Sequence, residues 1–298
     1  MALEDLDKID WAQYNHAYGP ATDVPDLLRA LRSPDEEIYG QAIHELFGNI
    51  WHQGTVYEAT AYAVPYLIEL LTVPAVACKA DILSLLEAVA RGSSYHDVHQ
   101  HLSDHHHERQ TEDFQATVRK ELAWVAAAHE AVEQGVETYL ALLGDKDAKV
   151  AAVAPFTLAA CYQNAETILP ILNVKIEKET RMPVKVSLIR GAATLLENAG
   201  KARETLSESY LTLFTALASA LDEPPYVRLA AAISLVYLGG SAYVEPALLL
   251  FAQVGSTCNE QIASYFPWGI GYEGSVKAMS KALSDYPQIH VHWLVGLL

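Results

Sequence analysis

The sequence predicts an all-α fold, a right-handed α-solenoid of stacked helical hairpins, and three observations support this prediction. A proline followed by a leucine-rich turn recurs at 24–31, 64–71, 169–176 and 245–252. Alanine-rich segments with apolar residues four positions apart recur as well, and no stretch sustains the two-residue alternation typical of strands. Such repeats are typical of helix pairs that each bury one apolar stripe against the next pair.

The alanine-rich segments give the period of the predicted repeat. The anchors Val150, Leu188 and Val227 are separated by 38 and 39 residues, and Ile38 starts a shorter variant of the same pattern. The interval between Ile38 and Val150 has room for three further units of similar length. We therefore expect five to seven hairpins.

Helix starts and ends agree with this reading. The segment "SPDE" at 33–36 has the form of a capping box with Pro34 at the first helical position. Prolines 65, 170 and 246 must each open or kink a helix, because proline lacks a backbone N–H. Glycines stand where helices should end, at positions 48, 92, 200 and 239.

Two segments resemble a known family. The stretch "DEPPYVRLAAAISLVYLG" (222–239) is similar to the second helix of a HEAT repeat, and "IWHQGTVYEATAYAVPYLIELL" (50–71) is similar to bacterial HEAT-like proteins, mostly of unassigned function. The matching positions of the first segment are Asp222, Pro225, Val227, Arg228 and Ala231. The resemblance covers about residues 22–255 and implies an interaction scaffold, although fold alone does not define function.

The domain prediction is one HEAT-like solenoid over residues 1–298. Its core repeats span about 22–255, a histidine-rich insertion interrupts them at about 93–110, and capping helices close the array at about 256–298. The aromatic, glycine-rich segment 261–274 belongs to that predicted cap, which would cover the apolar face of the last repeat.

The charge balance indicates the class of partner. The chain has 20 Lys and Arg against 37 Asp and Glu, a formal charge of −17. Residues 1–110 hold 6 basic and 17 acidic side chains, and residues 111–298 hold 14 and 20. Because phosphate contacts require a basic surface, nucleic acid is a disfavoured partner, and a basic protein is favoured.

The sequence also predicts a cytoplasmic protein without a membrane partner. No run of eighteen apolar residues is present, and the acidic start "MALEDLDKIDWAQYNHAYG" differs from a secretory signal. Cys78, Cys161 and Cys258 are widely spaced within apolar patterns, which indicates buried thiols in a reducing compartment.

The segment "WHQGTVYEAT" (51–60) is the densest polar and aromatic stretch between two predicted helices. Loops on a rigid scaffold often bind partners, and Trp and Tyr are frequent interface anchors. The predicted binding residues are Trp51, His52, Gln53, Tyr57 and Glu58. In the alternative interpretation, Trp51 and Tyr57 wedge between repeats and Gly54 makes the turn. No catalytic residue is predicted, since no nucleophile accompanies the histidine and glutamate.

The histidine-rich segment "YHDVHQHLSDHHHERQ" (95–110) holds six histidines. If residues 98–107 were helical, His101 and His105 would share a face with Asp97 one turn earlier, which suits a weak divalent site. The favoured interpretation is a solvated insertion whose imidazoles titrate near pH 6.5. No metal and no cofactor is predicted.

A local basic zone spans 175–203, with seven Lys and Arg against three acids. We expect Arg181, Lys185 and Arg190 to pair with acids of neighbouring repeats rather than with phosphate.

The leading functional hypothesis is a non-enzymatic scaffold whose acidic concave surface grips a basic protein, for example as an immunity protein that neutralises a bacterial toxin. The second hypothesis is a metal-dependent enzyme that uses the histidine-rich segment or the "WHQG" loop. The third is a nucleic-acid-binding repair protein of the HEAT-like type.

Overall fold

A computed structural model describes residues 3–99 and 111–255 of the chain. These residues are mostly helical, which confirms the predicted all-α class. The predicted capping helices at about 256–298, and most of the predicted histidine-rich insertion, lie outside the described residues. The chain divides into two compact units, an N-terminal unit (Met1–Leu142) and a C-terminal unit (Leu143–Leu298). The assembly of the helical hairpins into one solenoid stays a prediction.

The N-terminal unit begins with two short 3-10 helices, Leu6–Lys8 and Trp11–Gln13. Its α-helices are α1 (Val24–Ala30), α2 (Glu36–Asn49), α3 (Thr60–Thr72), α4 (Lys79–Ala90), α5 (Tyr95–His99), α6 (Glu112–Glu133) and α7 (Val136–Leu142). Helices α3 and α4 both pack on α6, and α1 packs on α2. Leucines from successive helices, among them Leu28, Leu46 and Leu67, are fully buried and form the core of this unit.

Two small β-hairpins precede α1 and α3, and the sequence reasoning missed them. Strand β1 (Asn15–His16) pairs with β2 (Gly19–Pro20), and β3 (Trp51–His52) pairs with β4 (Thr55–Val56), both antiparallel. Each strand has only two residues, which is too short to produce a recognisable alternation of polar and apolar positions.

The described part of the C-terminal unit is a series of packed α-helices. Its helices are α8 (Ala148–Ala160), α9 (Ala165–Lys178), α10 (Met182–Asn198), α11 (Lys201–Ser219), α12 (Pro225–Gly239) and α13 (Val244–Gly255). Helix α10 packs on both α8 and α12. The predicted anchors Val150, Leu188 and Val227 are all buried, Val150 and Val227 near the starts of α8 and α12 and Leu188 near the middle of α10. The fourth anchor is wrong, because Ile38 is 50% exposed on α2.

Helices α8 and α10 approach each other closely at Gly191. A Cβ atom on Gly191 would lie 2.6 Å from the carbonyl oxygen of Pro155 and 2.9 Å from its Cβ. Alanine-rich faces permit such an approach, since small side chains leave little volume between the helix axes. Every residue of α8 from Val150 to Ala160 is buried.

The predicted start of α2 needs a correction. The cap of α2 is Asp35 rather than Ser33, because the Asp35 Oδ1 accepts from the Glu37 N–H at 3.0 Å and the helix begins at Glu36. Pro65 and Pro170 lie inside α3 and α9, which is one of the two placements that the sequence left open. Gly200 has a φ of +49° and precedes α11, as expected of a glycine between two helices.

The expected pairing of the basic zone is correct for one of three residues. Lys185 forms an ion pair with Glu223, 38 positions along the chain. Arg181 instead pairs with Glu179 of its own loop at 2.9 Å. Arg190 lies over the ring of Tyr237, with its guanidinium 5.0 Å from the ring centroid, rather than against a neighbouring acid.

Two of the three cysteines lie within the described residues, and both are buried, as predicted. They are Cys78 and Cys161. Burial raises the pKa of the Cys78 thiol to about 11, so this thiol stays protonated and unreactive at neutral pH. Among the helices of the described segments, none combines the length and the apolar character needed to cross a bilayer.

Candidate binding site on the N-terminal unit

The predicted binding segment folds as the β3–β4 hairpin. Trp51 pairs with Val56 and His52 with Thr55, so Gln53 and Gly54 form a two-residue turn. Both turn residues have positive φ, +49° for Gln53 and +94° for Gly54. This combination belongs to the tight hairpin turn that matches the twist of the strands. Gly54 adopts it freely, whereas Gln53 is a non-glycine residue in a sparsely populated conformation.

Thr60 anchors the end of this hairpin at the start of α3. Its hydroxyl donates to the carbonyl of Ile50 at 2.5 Å and accepts from the backbone N–H of Tyr57 at 2.9 Å. Thr60 is fully buried, so both bonds are shielded from water. One threonine side chain thus holds both ends of the hairpin, and Tyr57 has a defined backbone position.

Backbone hydrogen bonds join the two hairpins and a third loop. The Ala17 N–H donates to the Asn49 carbonyl and the Ala59 N–H to the Asn15 carbonyl, both at 3.0 Å. The Ser93 N–H donates to the Gly54 carbonyl at 2.7 Å, and the Ser93 carbonyl accepts from Val56 at 3.2 Å. We call the surface formed by residues 15–20, 51–59 and 93–99 the hairpin face.

His16 and Asp23 secure the first hairpin to the helices. The backbone N–H of Tyr18 donates to His16 Nδ1 at 3.0 Å, so a ring proton must be on Nε2, which donates to Asp23 at 2.9 Å. The second oxygen of Asp23 accepts from the side chain of Asn49 at 2.6 Å. His16 is buried, and this chain of bonds ties β1 to the start of α1 and the end of α2.

Glu121 of α6 secures the third loop. Its buried carboxylate accepts from the Ser94 hydroxyl at 2.7 Å, the His96 backbone N–H at 2.9 Å and His96 Nδ1 at 2.6 Å. The Ser94 hydroxyl also accepts from the Asp97 N–H at 3.1 Å and caps α5. Since Ser94 donates to Glu121 rather than to His96, these residues are not arranged as a nucleophile and its base.

Three tyrosines gather on the hairpin face, one from each of its segments. Tyr18 is 69% exposed and Tyr95 45% exposed. The pKa of the half-buried Tyr57 is raised, first by burial and then by the negative charge of Glu121 and the hydroxyls of Tyr18 and Tyr95. The hydroxyl of Tyr57 is therefore within electrostatic reach of the other three groups. We call Tyr18, Tyr57 and Tyr95 the tyrosine cluster.

Histidine rings support the two exposed tyrosines. The Tyr18 ring contacts the His52 ring edge-on with centroids 5.5 Å apart, and its hydroxyl lies 3.4 Å from His52 Nδ1. The Tyr95 ring packs on the His99 ring with centroids 4.4 Å apart. These contacts restrict both tyrosine rings, so their exposed surfaces are held in position.

The five predicted binding residues differ in their surroundings and in their exposure to solvent. His52 and Tyr57 take part in the contacts of the tyrosine cluster, and Gln53 is exposed at the turn. Trp51 is half-buried against Phe47 of the preceding helix α2, with ring centroids 5.9 Å apart. Glu58 is half-buried directly after Tyr57.

Sequence reasoning missed Tyr18, Tyr95 and Glu121. A signal for Tyr18 was present, because His16 and His52 occupy the same place in two hairpins 36 positions apart. No comparable signal links Glu121 to Tyr57, since their proximity depends on how α6 packs against α3.

A metal site has no support in the part of the chain that the structure describes. Within 3–99 and 111–255, no three His, Cys, Asp or Glu side chains are placed to hold a metal ion. His99 Nδ1 donates to the Tyr95 carbonyl at 2.7 Å, and His96 Nδ1 contacts Glu121. His101 and His105, the predicted weak ligands, lie outside the described residues.

A buried ionic pair lies on α6, next to the end of α4. His129 Nδ1 must donate to the carbonyl of Ala90, 3.1 Å away, and Nε2 faces the Glu133 carboxylate at 3.0 Å. When Glu133 is ionised, both ring nitrogens donate, which is the arrangement of an imidazolium. The hydrogen bond to Glu133 raises the pKa of His129 against the opposing effect of burial.

Comparison of the chain with known proteins finds no matching family model, no matching curated protein and no matching solved structure. The resemblance to HEAT repeats therefore remains a prediction, and the functional argument depends on the site itself.

Proposed function

We propose that the chain is a non-enzymatic protein that binds a basic protein partner through the hairpin face. The observation that carries this proposal is the location of the negative charge. Residues 1–142 hold 8 Lys and Arg against 23 Asp and Glu, a formal charge of −15. Residues 143–298 hold 12 against 14, a formal charge of −2. A field concentrated on one unit attracts a cationic partner to that unit.

Exposed aromatic side chains on the same unit support the proposal. Monomeric proteins tend to bury tyrosine rings or scatter them, and interfaces are enriched in them. Tyr18 and Tyr95 are exposed on the hairpin face. Tyr62, on α3 directly after the segment 51–59 of that face, is 40% exposed. The acidic charge would attract the basic partner to this unit. The exposed tyrosine rings would then provide apolar contact area in the complex.

The rigidity of the hairpin face also favours binding. Its three segments are joined by backbone hydrogen bonds, and Thr60, Asp23 and Glu121 anchor them to helices. A surface that is already ordered loses little conformational entropy on association. The finer versions of the proposal are a HEAT-like solenoid in the cytoplasm and an immunity protein that neutralises a basic toxin.

Site-specific photo-crosslinking tests the proposal. A benzophenone amino acid replaces Tyr18 in one variant and Tyr162 in another, in cells that produce the chain naturally. Tyr162 is 44% exposed on the C-terminal unit and is the matched control. We expect the Tyr18 position to capture basic proteins that the Tyr162 position does not, with less capture at high salt. Capture of the same proteins at both positions, or of acidic proteins at Tyr18, would contradict the proposal.

A further inference from the structure

We infer that the C-terminal unit has a binding site for a small monocarboxylate with an apolar body, such as a fatty acid. The site is a cavity between α11, α12 and α13, with the carboxylate at Arg228 and the apolar body against the side chains of α12 and α13. This inference goes beyond the proposed function, because it concerns the other unit and a small molecule rather than a protein.

The first argument is the size and the lining of the cavity. Its volume is about 480 Å³, and ligand sites commonly have roughly 300–1,000 Å³. Buried side chains of α12 and α13 form an apolar wall, among them Leu235, Ala247 and Leu250. Leu249 also lines the cavity and is 54% exposed, so the cavity opens to solvent. An apolar wall of this kind favours an apolar group over water.

Packing within the unit holds this wall in place. Three of its residues, Ala232, Ala247 and Leu250, belong to the buried cluster that joins α12 to α13. Tyr243 lines the cavity from the turn before α13, and its ring lies directly on α12, since a Cβ on Gly239 would be 2.3 Å from the Tyr243 Cε2. A cavity with walls fixed by the core loses little conformational entropy when a ligand binds.

The second argument is the half-buried cation in the lining. Arg228, in the first turn of α12, donates from Nε to the carbonyl of Ala218 in the last turn of α11, at 3.2 Å. This bond positions the guanidinium and leaves its two terminal nitrogens available. Within residues 3–99 and 111–255, no carboxylate lies at ion-pairing distance from Arg228. A ligand carboxylate could therefore accept two parallel hydrogen bonds from it.

The third argument is the division of the lining into a polar and an apolar side. Thr215 and Ser219 are exposed, lie one turn apart on α11, and line the cavity together with Arg228. The cavity is thus polar along the end of α11 and largely apolar along α13. A molecule with one anionic end and an apolar body matches both sides, whereas a wholly polar anion would leave the apolar side in contact with water.

The experiment uses decanoate, decanol and decylamine, which share one alkyl chain and end in an anionic, a neutral and a cationic group. Isothermal titration of each into the full chain, below its micelle concentration, gives the affinities. We expect decanoate to bind about tenfold more tightly than decanol, as hydrogen bonds between charged groups imply, and decylamine to bind most weakly. Because the chain has a formal charge of −17, non-specific adsorption would instead favour decylamine.

A substitution of the arginine locates the preference. Arg228→Gln should make decanoate and decanol bind equally, by weakening decanoate and leaving decanol unchanged. The matched control Lys201→Gln, at an exposed position at the other end of α11, should keep the full preference. Circular dichroism checks the fold of Arg228→Gln, since this variant also loses the bond to Ala218.

A second variant tests the site without removing that bond. Leu249→Glu adds a negative charge at an exposed position of the lining, so decylamine should bind this variant more tightly than decanoate does. The matched control is Val174→Glu, at a position on α9 that is 47% exposed. It adds the same charge away from the cavity and should keep the original order.

Equal affinities of decanoate and decanol for the unmodified chain would overturn the inference, as would no binding of decanoate. A preference for decanoate that survives both Arg228→Gln and Leu249→Glu would overturn it too, because the anion would then bind elsewhere. None of these results would affect capture of basic proteins at Tyr18, so the proposed function is tested separately.

Discussion

The two units of this chain differ in the side chains that pair with their carboxylates. In the N-terminal unit three carboxylates pair with a histidine, which are His16 with Asp23, His96 with Glu121 and His129 with Glu133, while the buried Glu87 pairs with Arg91. In the C-terminal unit the partners are Lys185 for Glu223 and Arg181 for Glu179. Residues 143–255 contain no histidine at all.

This difference concerns how the charge of the basic partner depends on pH. Lysine and arginine keep their charge over the physiological pH range, whereas histidine changes charge within it. The N-terminal unit also holds nearly all of the excess acidic charge, both hairpins and the tyrosine cluster. The C-terminal unit is built from alanine-rich helices packed at short distance, as at Gly191. The proposed function assigns the binding surface to the N-terminal unit.

The largest expected effect comes from breaking the buried pair of the N-terminal unit. His129→Leu leaves the Glu133 carboxylate buried without its cation and should lower the free energy of unfolding by about 3 to 5 kcal/mol. Urea unfolding followed by circular dichroism measures this change.

The double variant His129→Leu with Glu133→Leu should recover most of the loss. The matched control His44→Leu, at an exposed position of α2, should change stability by less than about 0.5 kcal/mol. A single variant as stable as the control would show that the pair is not buried as described.

The next effect concerns the close helix packing of the C-terminal unit. Gly191→Ala places a Cβ 2.6 Å from the Pro155 carbonyl oxygen, and α8 and α10 must move apart. We expect a loss of about 1 to 3 kcal/mol in the free energy of unfolding. Gly40→Ala in α2 is the control, since no heavy atom lies within 4 Å of its added Cβ. That substitution should stabilise the chain by up to about 1 kcal/mol. Equal effects at both glycines would contradict the close contact.

Opposite pH dependences should distinguish the two units. The raised pKa of His129 means that its contribution to stability is complete below about pH 6.5 and disappears as the pH rises through the folded-state pKa. The unmodified chain should therefore exceed the neutral double variant His129→Leu with Glu133→Leu by more at pH 6 than at pH 9.

Glu179 should show the reverse behaviour. Burial alone would raise its pKa, but the hydrogen bonds and the charge of Arg181 outweigh burial and lower it. Its contribution is present above the unfolded-state pKa of about 4.5 and is lost as the pH falls through the folded-state value. The difference between the unmodified chain and Glu179→Gln should thus shrink from pH 6 to pH 3. Parallel pH dependences in the two experiments would refute the contrast between the units.

The smallest effect should come from the hairpin turn. Gln53 adopts a φ of +49°, which asparagine tolerates better, and Asn-Gly is a favoured sequence for this turn. Gln53→Asn should raise the free energy of unfolding by a few tenths of a kcal/mol. Glu58→Gln, outside the turn, is a control for changes in polar side chains. A less stable Gln53→Asn variant would mean that the glutamine side chain makes contacts that offset its strained backbone.

The contrast also explains how far sequence reasoning could reach. In the C-terminal unit the spacing of Val150, Leu188 and Val227 indicated the length of the repeat, and all three side chains are buried in the structure. In the N-terminal unit, strands of two residues have no period to detect, although Gly54 did indicate the turn. The hairpin face depends on backbone hydrogen bonds between residues far apart in sequence, such as Ser93 with Gly54, which only tertiary packing brings together.

Hydrogen exchange tests the central claim most directly. The amides of the full chain would be followed with and without the protein captured at Tyr18. We predict slower exchange at 51–57 and 93–97 on the hairpin face, with no change at 150–160 in α8. Protection confined to the C-terminal unit, or equal protection of both units, would contradict the account.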